Sequence, residues 1–202
     1  MSQSEGVGEE ALDARFRALV DENQDAAIRT AQRLLGGDPA AEDVAQEAFL
    51  RAYRGLPRFR GEASLRTWFF RILIREVQRH RRWQSVRRVW ATDSLAEQEL
   101  PAKKDGIGDP ALRSRIVLAL EGLPRRQREV FVLVHLEQFT VKEAGELLGV
   151  SLGTAKVHLH RGLKALRKEL ADLVADSSSD HRPDVGEGRE TLGESNEKGE
   201  DG

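Results

Sequence analysis

Apolar residues recur every three or four positions through most of this chain and nowhere alternate over a run long enough for a strand, so the pattern is one of amphipathic helices. Leu12, Phe16, Leu19, Val20, Ile28, Ala31 and Leu34 line one face of a first helix, ending near Gly36 and Gly37. Asp38 followed by Pro39 reads as the cap of a second, with proline at the first helical position, and this helix runs to about Gly55. Within it Val44, Ala45, Ala48, Phe49, Ala52 and Leu56 face inward, whereas Asp43, Gln46, Glu47, Leu50 and Arg54 face out. Proline and glycine break up the loop from Leu56 to Ala63, and Ser64 caps a long third helix reaching about Trp90. Its inward residues are Leu65, Phe69, Ile72, Leu73 and Val77.

Residues 91–108 lose this periodicity and read as a linker. Asp109 and Pro110 open another helix, ended by Gly122, and Pro124 starts the next, whose apolar run from Val130 to Val134 marks the core of a second domain. Then come two short helices joined by a tight turn, TVKEAGELLGVSLGTAKVHLHRGL, in the pattern of a DNA-binding helix-turn-helix. Thr140 and Glu143 form a capping box; Gly145 leaves room where the helices cross, and Gly149 supplies the permissive backbone of the turn. Ser151 caps the last helix, in which Leu152, Ala155, Leu159, Leu163, Leu166 and Leu170 form the buried face. The fold class is all-α: two small helical domains, 11–90 and 109–174, joined by a flexible linker. A disordered N-terminus over 1–10 and a disordered acidic tail over 175–202 flank them.

Three surfaces carry chemistry. The outer face of the last helix, with Thr154, Val157, His158, Arg161, Lys164 and Lys168, combines short side chains for base edges with cations for phosphates. On the third helix Thr67, Arg71, Arg75, Gln78 and Arg82 fall on one strip bordered by Trp68, and ten arginines stand against two acids between Arg58 and Arg88. With Phe59 and Arg60 in the preceding loop, this strip suits single-stranded nucleic acid, bases stacking on aromatics and cations following phosphates. Trp68 fits a core role as well as a stacking one. The outward strip of the second helix places Leu50 among charges, which is either a docking point for a protein or an ordinary exposed leucine.

The net charge of −2 hides an asymmetry. Residues 1–14 carry four acids and no base, and 175–202 carry nine acids against three bases, leaving 29 basic and 21 acidic groups between them. A basic body between acidic ends fits a polyanion partner. The tail either competes with DNA for the basic helix or is a solubilising segment. Without cysteine the chain has no disulfide or thiolate metal site, and with no signal peptide or membrane-length apolar run the expected location is the cytoplasm. The scattered histidines and the lack of paired carboxylates or a phosphate loop argue against an enzyme, a cofactor or a metal centre.

In this order the three surfaces resemble the extracytoplasmic-function sigma factors of bacterial RNA polymerase. AEDVAQEAFLRAYRGLPRFRGEASLRTWFFRI at 41–72 looks like that family's region 2, and LEGLPRRQREVFVLVHLEQFTVKEAGELLGVSLGTAKVHLHRGLKALRKEL at 120–170 like its region 4. The resemblance implies a subunit that directs core polymerase to promoters of a stress or envelope-signal regulon, nucleoid-associated when active. Asp43, Gln46, Glu47, Leu50 and Arg54 would dock on the clamp helices of the largest polymerase subunit, and region 4 on the flap. Phe59, Arg60, Thr67, Trp68, Arg71, Arg75, Gln78 and Arg82 would open and hold the minus-ten element. Ser151, Gly153, Thr154, Lys156, Val157, His158, Arg161 and Lys164 would read the minus-thirty-five element as duplex. An anti-sigma factor would be a further partner. Family members commonly have asparagine where Arg75 stands and aspartate where Arg79 stands, so the minus-ten preference does not carry over. Ala144, Gly145 and Ala155 are lighter than usual, which implies a modest loss of stability. Two alternatives compete: a response-regulator-like transcription factor, which needs a strand-rich receiver with clustered acids, and a polymerase-independent single-strand-binding protein, which leaves the helix-turn-helix and the Leu50 strip without a role.

Overall fold

The computed structural model describes residues 2–90 and 110–171, with side chains for 10–87 and 114–171. Every regular element among them is helical: α1 (Ser2–Leu35), α2 (Ala41–Gly55), α3 (Leu65–Trp90), α4 (Pro110–Glu121), α5 (Arg125–Phe131), α6 (Val141–Leu148) and α7 (Leu152–Glu169). A short 3-10 turn, Leu56–Arg58, leads out of α2, and a π-helical turn, Val132–Leu136, extends α5. The linker at 91–108 and the tail at 175–202 lie outside the described residues.

Local chemistry sets most boundaries. Ser64 Oγ accepts the Thr67 amide at 3.0 Å and starts α3. Thr140 and Glu143 complete the capping box of α6, Ser151 Oγ accepts the Thr154 amide at the start of α7, and Gly149 turns between them at φ +68°. Two boundaries differ from expectation. The backbone of α1 is helical from Ser2, inside the segment read as a disordered N-terminus. Asp38 does not cap α2 directly: the helix begins at Ala41, and Asp38 Oδ1 accepts the Ala40 amide at 2.9 Å in a turn one step earlier. The other carboxylate oxygen meets His80 Nε2 at 2.9 Å and the Gln84 amide, so Asp38 ties the α1–α2 corner to α3. Burial alone would raise the Asp38 pKa; the Ala40 amide, His80 and Gln84 outweigh it and hold the carboxyl below its ordinary value.

α1, α2 and α3 pack around Leu19, Ala31, Leu34, Val44, Ala48, Phe69, Leu73 and Val77. Alanines at 27, 31, 45, 48 and 52 let the helices approach closely, and Phe49 stacks on Phe69 at 4.3 Å. Phe70 and Ile74 are also fully buried, which the apolar spacing of α3 alone does not explain. Residues 130–150 supply the reason: Val130, Val132, Leu133, Phe139, Ala144, Leu147 and Leu148 join the same core, and Phe139 meets Phe70 edge-on. The two helical groups of the sequence are therefore both present, and among the described residues they share one hydrophobic core. A second cluster, Ala119, Leu120, Leu123 and Leu166 with Phe131 and Leu170, joins α4 and α5 to α7.

Candidate nucleic-acid interface

The helix-turn-helix is held by close approach of its two helices. A Cβ on Gly145 would lie 3.1 Å from the Val150 carbonyl oxygen and 3.5 Å from Ala155 Cβ, so this glycine fills a tight crossing. Gly162 is also buried, and a Cβ there would meet Gln127 at 3.4 Å; α7 rests on α5 through its backbone. On the outer face Gly153, Thr154, Lys156, Val157, Arg161 and Lys164 are exposed, a row of cations beside an apolar and a small position. Ser151 is exposed, but its hydroxyl serves the cap and lies 2.9 Å from Thr154 Oγ1. Two expectations for α7 are corrected. Leu152 is exposed rather than buried, because it stands in the first turn ahead of the crossing. His158 is half-buried, with Nδ1 enclosed, so less of it is offered to a groove.

α3 presents Arg71, Arg75, Gln78 and Arg82 outward, Arg75 and Arg82 exposed and the other two partly. Thr67 does not belong with them: it is buried, its hydroxyl 2.8 Å from Ser64 Oγ, and it acts in the start of the helix. Trp68 is half-buried against the main core, its six-membered ring 3.1 Å from where a Gly55 Cβ would stand and its centroid 5.1 Å from that of Phe59. Arg15 of α1 stands 5.0 Å above the Phe59 ring, and Arg60 is exposed at the loop tip. The loop and stripe thus form one surface, clamped at the Gly55 end of α2.

Beyond the stripe, Trp83 and Val86 are each more than half exposed, with the Arg87 guanidinium 5.1 Å from the Trp83 ring. Sequence reasoning did not single them out; two apolar residues within an arginine-rich helix end were the available signal. Trp83 borders a groove of about 600 Å³ between α2 and α3, lined also by Asp43, Val44, Glu47, Glu76, Arg79 and His80. Here Arg51 bridges Glu47 at 2.9 Å and the buried Glu76 at 3.0 Å, and Arg79 pairs with Glu76 from the other side. Arg79, which departs from the resembled pattern, is therefore committed to an internal carboxylate.

The strip on α2 is laid out as its spacing implies. Asp43, Gln46, Leu50 and Arg54 are exposed, Leu50 at 51 %, and Glu47 is partly covered by Arg51. No group of three or more histidine, cysteine or carboxylate side chains able to hold a metal is found among the described residues, and no described helix is long and apolar enough to cross a membrane.

Comparison with known proteins agrees with this layout. The model of sigma-70 region 2 matches residues 19–87 and that of sigma-70 region 4 matches 113–166. The extracytoplasmic-function sigma factor SigW of Bacillus subtilis is 34 % identical over 170 residues, covering 78 % of this chain and 90 % of its own. The RNA polymerase sigma-E factor of Streptomyces coelicolor is 32 % identical over 165 residues, covering 80 % and 89 %. Among solved structures, the sigma factor RpoE of Bartonella quintana, in complex with the anti-sigma factor NepR, shares the fold with a TM-score of 0.70 at 24 % identity over 78 % of this chain and 97 % of its own.

Proposed function

Because the chain belongs to the extracytoplasmic-function sigma factors of bacterial RNA polymerase, we propose that its three surfaces divide the work of promoter recognition. The chain is a promoter-specificity subunit. In our reading the α2 strip of Asp43, Gln46, Glu47, Leu50 and Arg54 docks on the clamp helices of the polymerase, which explains a leucine exposed among charges. Phe59, Arg60, Trp68, Arg71, Arg75, Gln78 and Arg82 take the unpaired strand of the minus-ten element, and the outer face of α7 enters the duplex major groove at minus thirty-five. An anti-sigma factor is a partner of the resting chain, by likeness to the complexed Bartonella relative. The work is done in the cytoplasm, where the polymerase is, and involves no catalytic step by this chain.

The observation that carries this reading is the order of surfaces on one chain: an exposed apolar docking strip, an arginine stripe beside half-buried aromatics, then a capped helix-turn-helix. A response-regulator-like protein would need a strand-rich receiver, and the described residues before α4 are helical. Reconstituted transcription tests it. Core polymerase with this chain should start RNA at a defined position on promoters that core polymerase alone ignores, and absence of initiation on every promoter of the source genome would reject it.

A further inference from the structure

Trp83 and Val86, near the end of α3, are 56 % and 57 % exposed and belong to neither hydrophobic cluster. Single exposed apolar side chains are ordinary, but this pair stands beside a groove. The groove between α2 and α3 measures about 600 Å³; Trp83 lines it from α3, Asp43 and Glu47 line it from α2, and the buried Val44 adds an apolar patch.

Its charges are matched except at one place. Glu76 is buried and takes Arg51 at 3.0 Å and Arg79 at 2.5 Å, and Glu47 takes the same two cations at 2.9 Å and 3.8 Å. His80 and Gln84 are both engaged with Asp38. The exposed Asp43 carboxylate is in no ion pair or side-chain hydrogen bond among the described residues. The first turn of α2 favours an acid at this position, but nothing in the helix calls for an indole across the groove from it.

A side chain with a long apolar stem and a positive head matches this lining. Arginine and lysine have that form, the stem lying along Val44 and the Trp83 ring while the head reaches Asp43. An indole face attracts cations, most strongly where water is excluded. Arg87 already uses the ring in this way, its guanidinium 5.1 Å from the Trp83 centroid. An anionic ligand such as a nucleic-acid phosphate would instead meet Asp43, Glu47 and Glu76 together.

Continuity with α2 identifies the partner. Asp43 and Glu47 belong both to the groove and to the outward strip, and Asp43 stands two helical turns, about 10 Å, from Leu50. A partner seated on that strip and reaching past Asp43 covers the groove as well. The strip itself supplies one apolar anchor, Leu50, whereas protein interfaces depend on buried aromatic and arginine anchors. We propose that this groove is the second half of the polymerase-docking surface, receiving an arginine or lysine side chain of core polymerase between Trp83 and Asp43. The inference rests on the reading of the α2 strip as that surface.

The chain has no cysteine, so Gln24→Cys, exposed on α1, carries a dye for anisotropy titration of the full-length protein with core polymerase. Trp83→Ala and Asp43→Asn should each weaken binding about tenfold with helical circular dichroism unchanged. Because both hold one side chain, the double variant should lose about twentyfold rather than about a hundredfold. Should Trp83→Ala lose helical signal, Trp83→Arg, which keeps a good helix former and presents a like charge to the incoming cation, should weaken binding at least as much. Affinity of Trp83→Ala for single-stranded and duplex promoter DNA should stay within about twofold of the unmodified chain. Unchanged polymerase affinity in folded Trp83 variants, independent losses in the double variant, or a loss confined to DNA binding would each overturn the proposal. Leu50→Asp separates the two readings: if it weakens binding while the Trp83 variants do not, the strip stands and the groove falls, and if it has no effect the strip itself is rejected.

Discussion

The ring of Phe139, just ahead of α6, meets the ring of Phe70 on α3 edge-to-face with centroids 5.0 Å apart. This pairing makes α3 a helix buried on two sides, toward α2 through Phe69 and toward the second helical group through Phe70. The exposed sector left over is narrow and holds Arg75 and Arg82 with their neighbours. Arg79 and Arg81, off that strip, are instead paired with Glu76 and Glu129.

Leu50 contributes little to the fold, being half exposed on α2. Leu50→Asp should leave circular dichroism and Tm unchanged while weakening binding to core polymerase by about tenfold, roughly 1.4 kcal/mol. Fluorescence anisotropy of labelled protein against core polymerase measures it, and unchanged affinity would remove α2 from docking.

The two DNA surfaces should separate by substrate. Arg161→Ala and Lys164→Ala should each weaken binding to duplex upstream-element DNA and reduce the salt dependence by about one phosphate contact. Arg71→Ala and Arg75→Ala should leave that binding intact and suppress strand opening, read as lost permanganate reactivity of promoter thymines. The reverse assignment of effects would show the surfaces to be interchanged.

Gly145 leaves room for little more than hydrogen, with the Val150 carbonyl 3.1 Å from any added Cβ. Gly145→Val should destabilise the helix-turn-helix by about 1–3 kcal/mol through overpacking, seen as a lower Tm. The small residue answers a short inter-helix distance rather than leaving a void, which revises the expectation that it lightens the packing.

The capping box gives α6 an acid limit. Hydrogen bonds from the Thr140 hydroxyl and then its backbone amide hold the Glu143 carboxyl below its ordinary value. Since the folded value is the lower one, the contribution is complete above the unfolded value of about 4.3 and is lost as pH falls through the folded value. Thr140→Ala should cost about 1 kcal/mol at neutral pH and flatten that acid-side loss in a series of denaturant titrations.

Gln138 holds φ +59°, a region that disfavours side chains with a Cβ. Gln138→Gly should stabilise the protein by up to about 1 kcal/mol in denaturant titration, whereas Gln138→Val should destabilise it.

The caps at Ser64, Thr140 and Ser151 were legible because each acts within three residues of its partner, and the glycines at 145 and 149 because both stand within one short helix-turn-helix pattern. The outward strip of α2 was legible for the same reason: one helical period decides it. Thr30, Arg81, Glu129 and Glu137 were not, because their meaning depends on partners across the fold. A threonine on an apolar helix face and a glutamate before Val130 are weak local signals, and the partner of Glu137 lies more than a hundred residues away. Thr67 was misplaced because its position on the wheel borders the exposed stripe, while its cap role belongs to the helix start.

Gly162 lets α7 lie on α5 backbone to side chain, with Gln127 filling the space a Cβ would take. The seat of α7 is thus made on the side away from the exposed Thr154, Val157 and Arg161. Residues 154, 157 and 161 can be exchanged without raising, lowering or tilting the helix on its support. On the proposed function, a substitution on that face would test a new promoter preference on an unchanged platform.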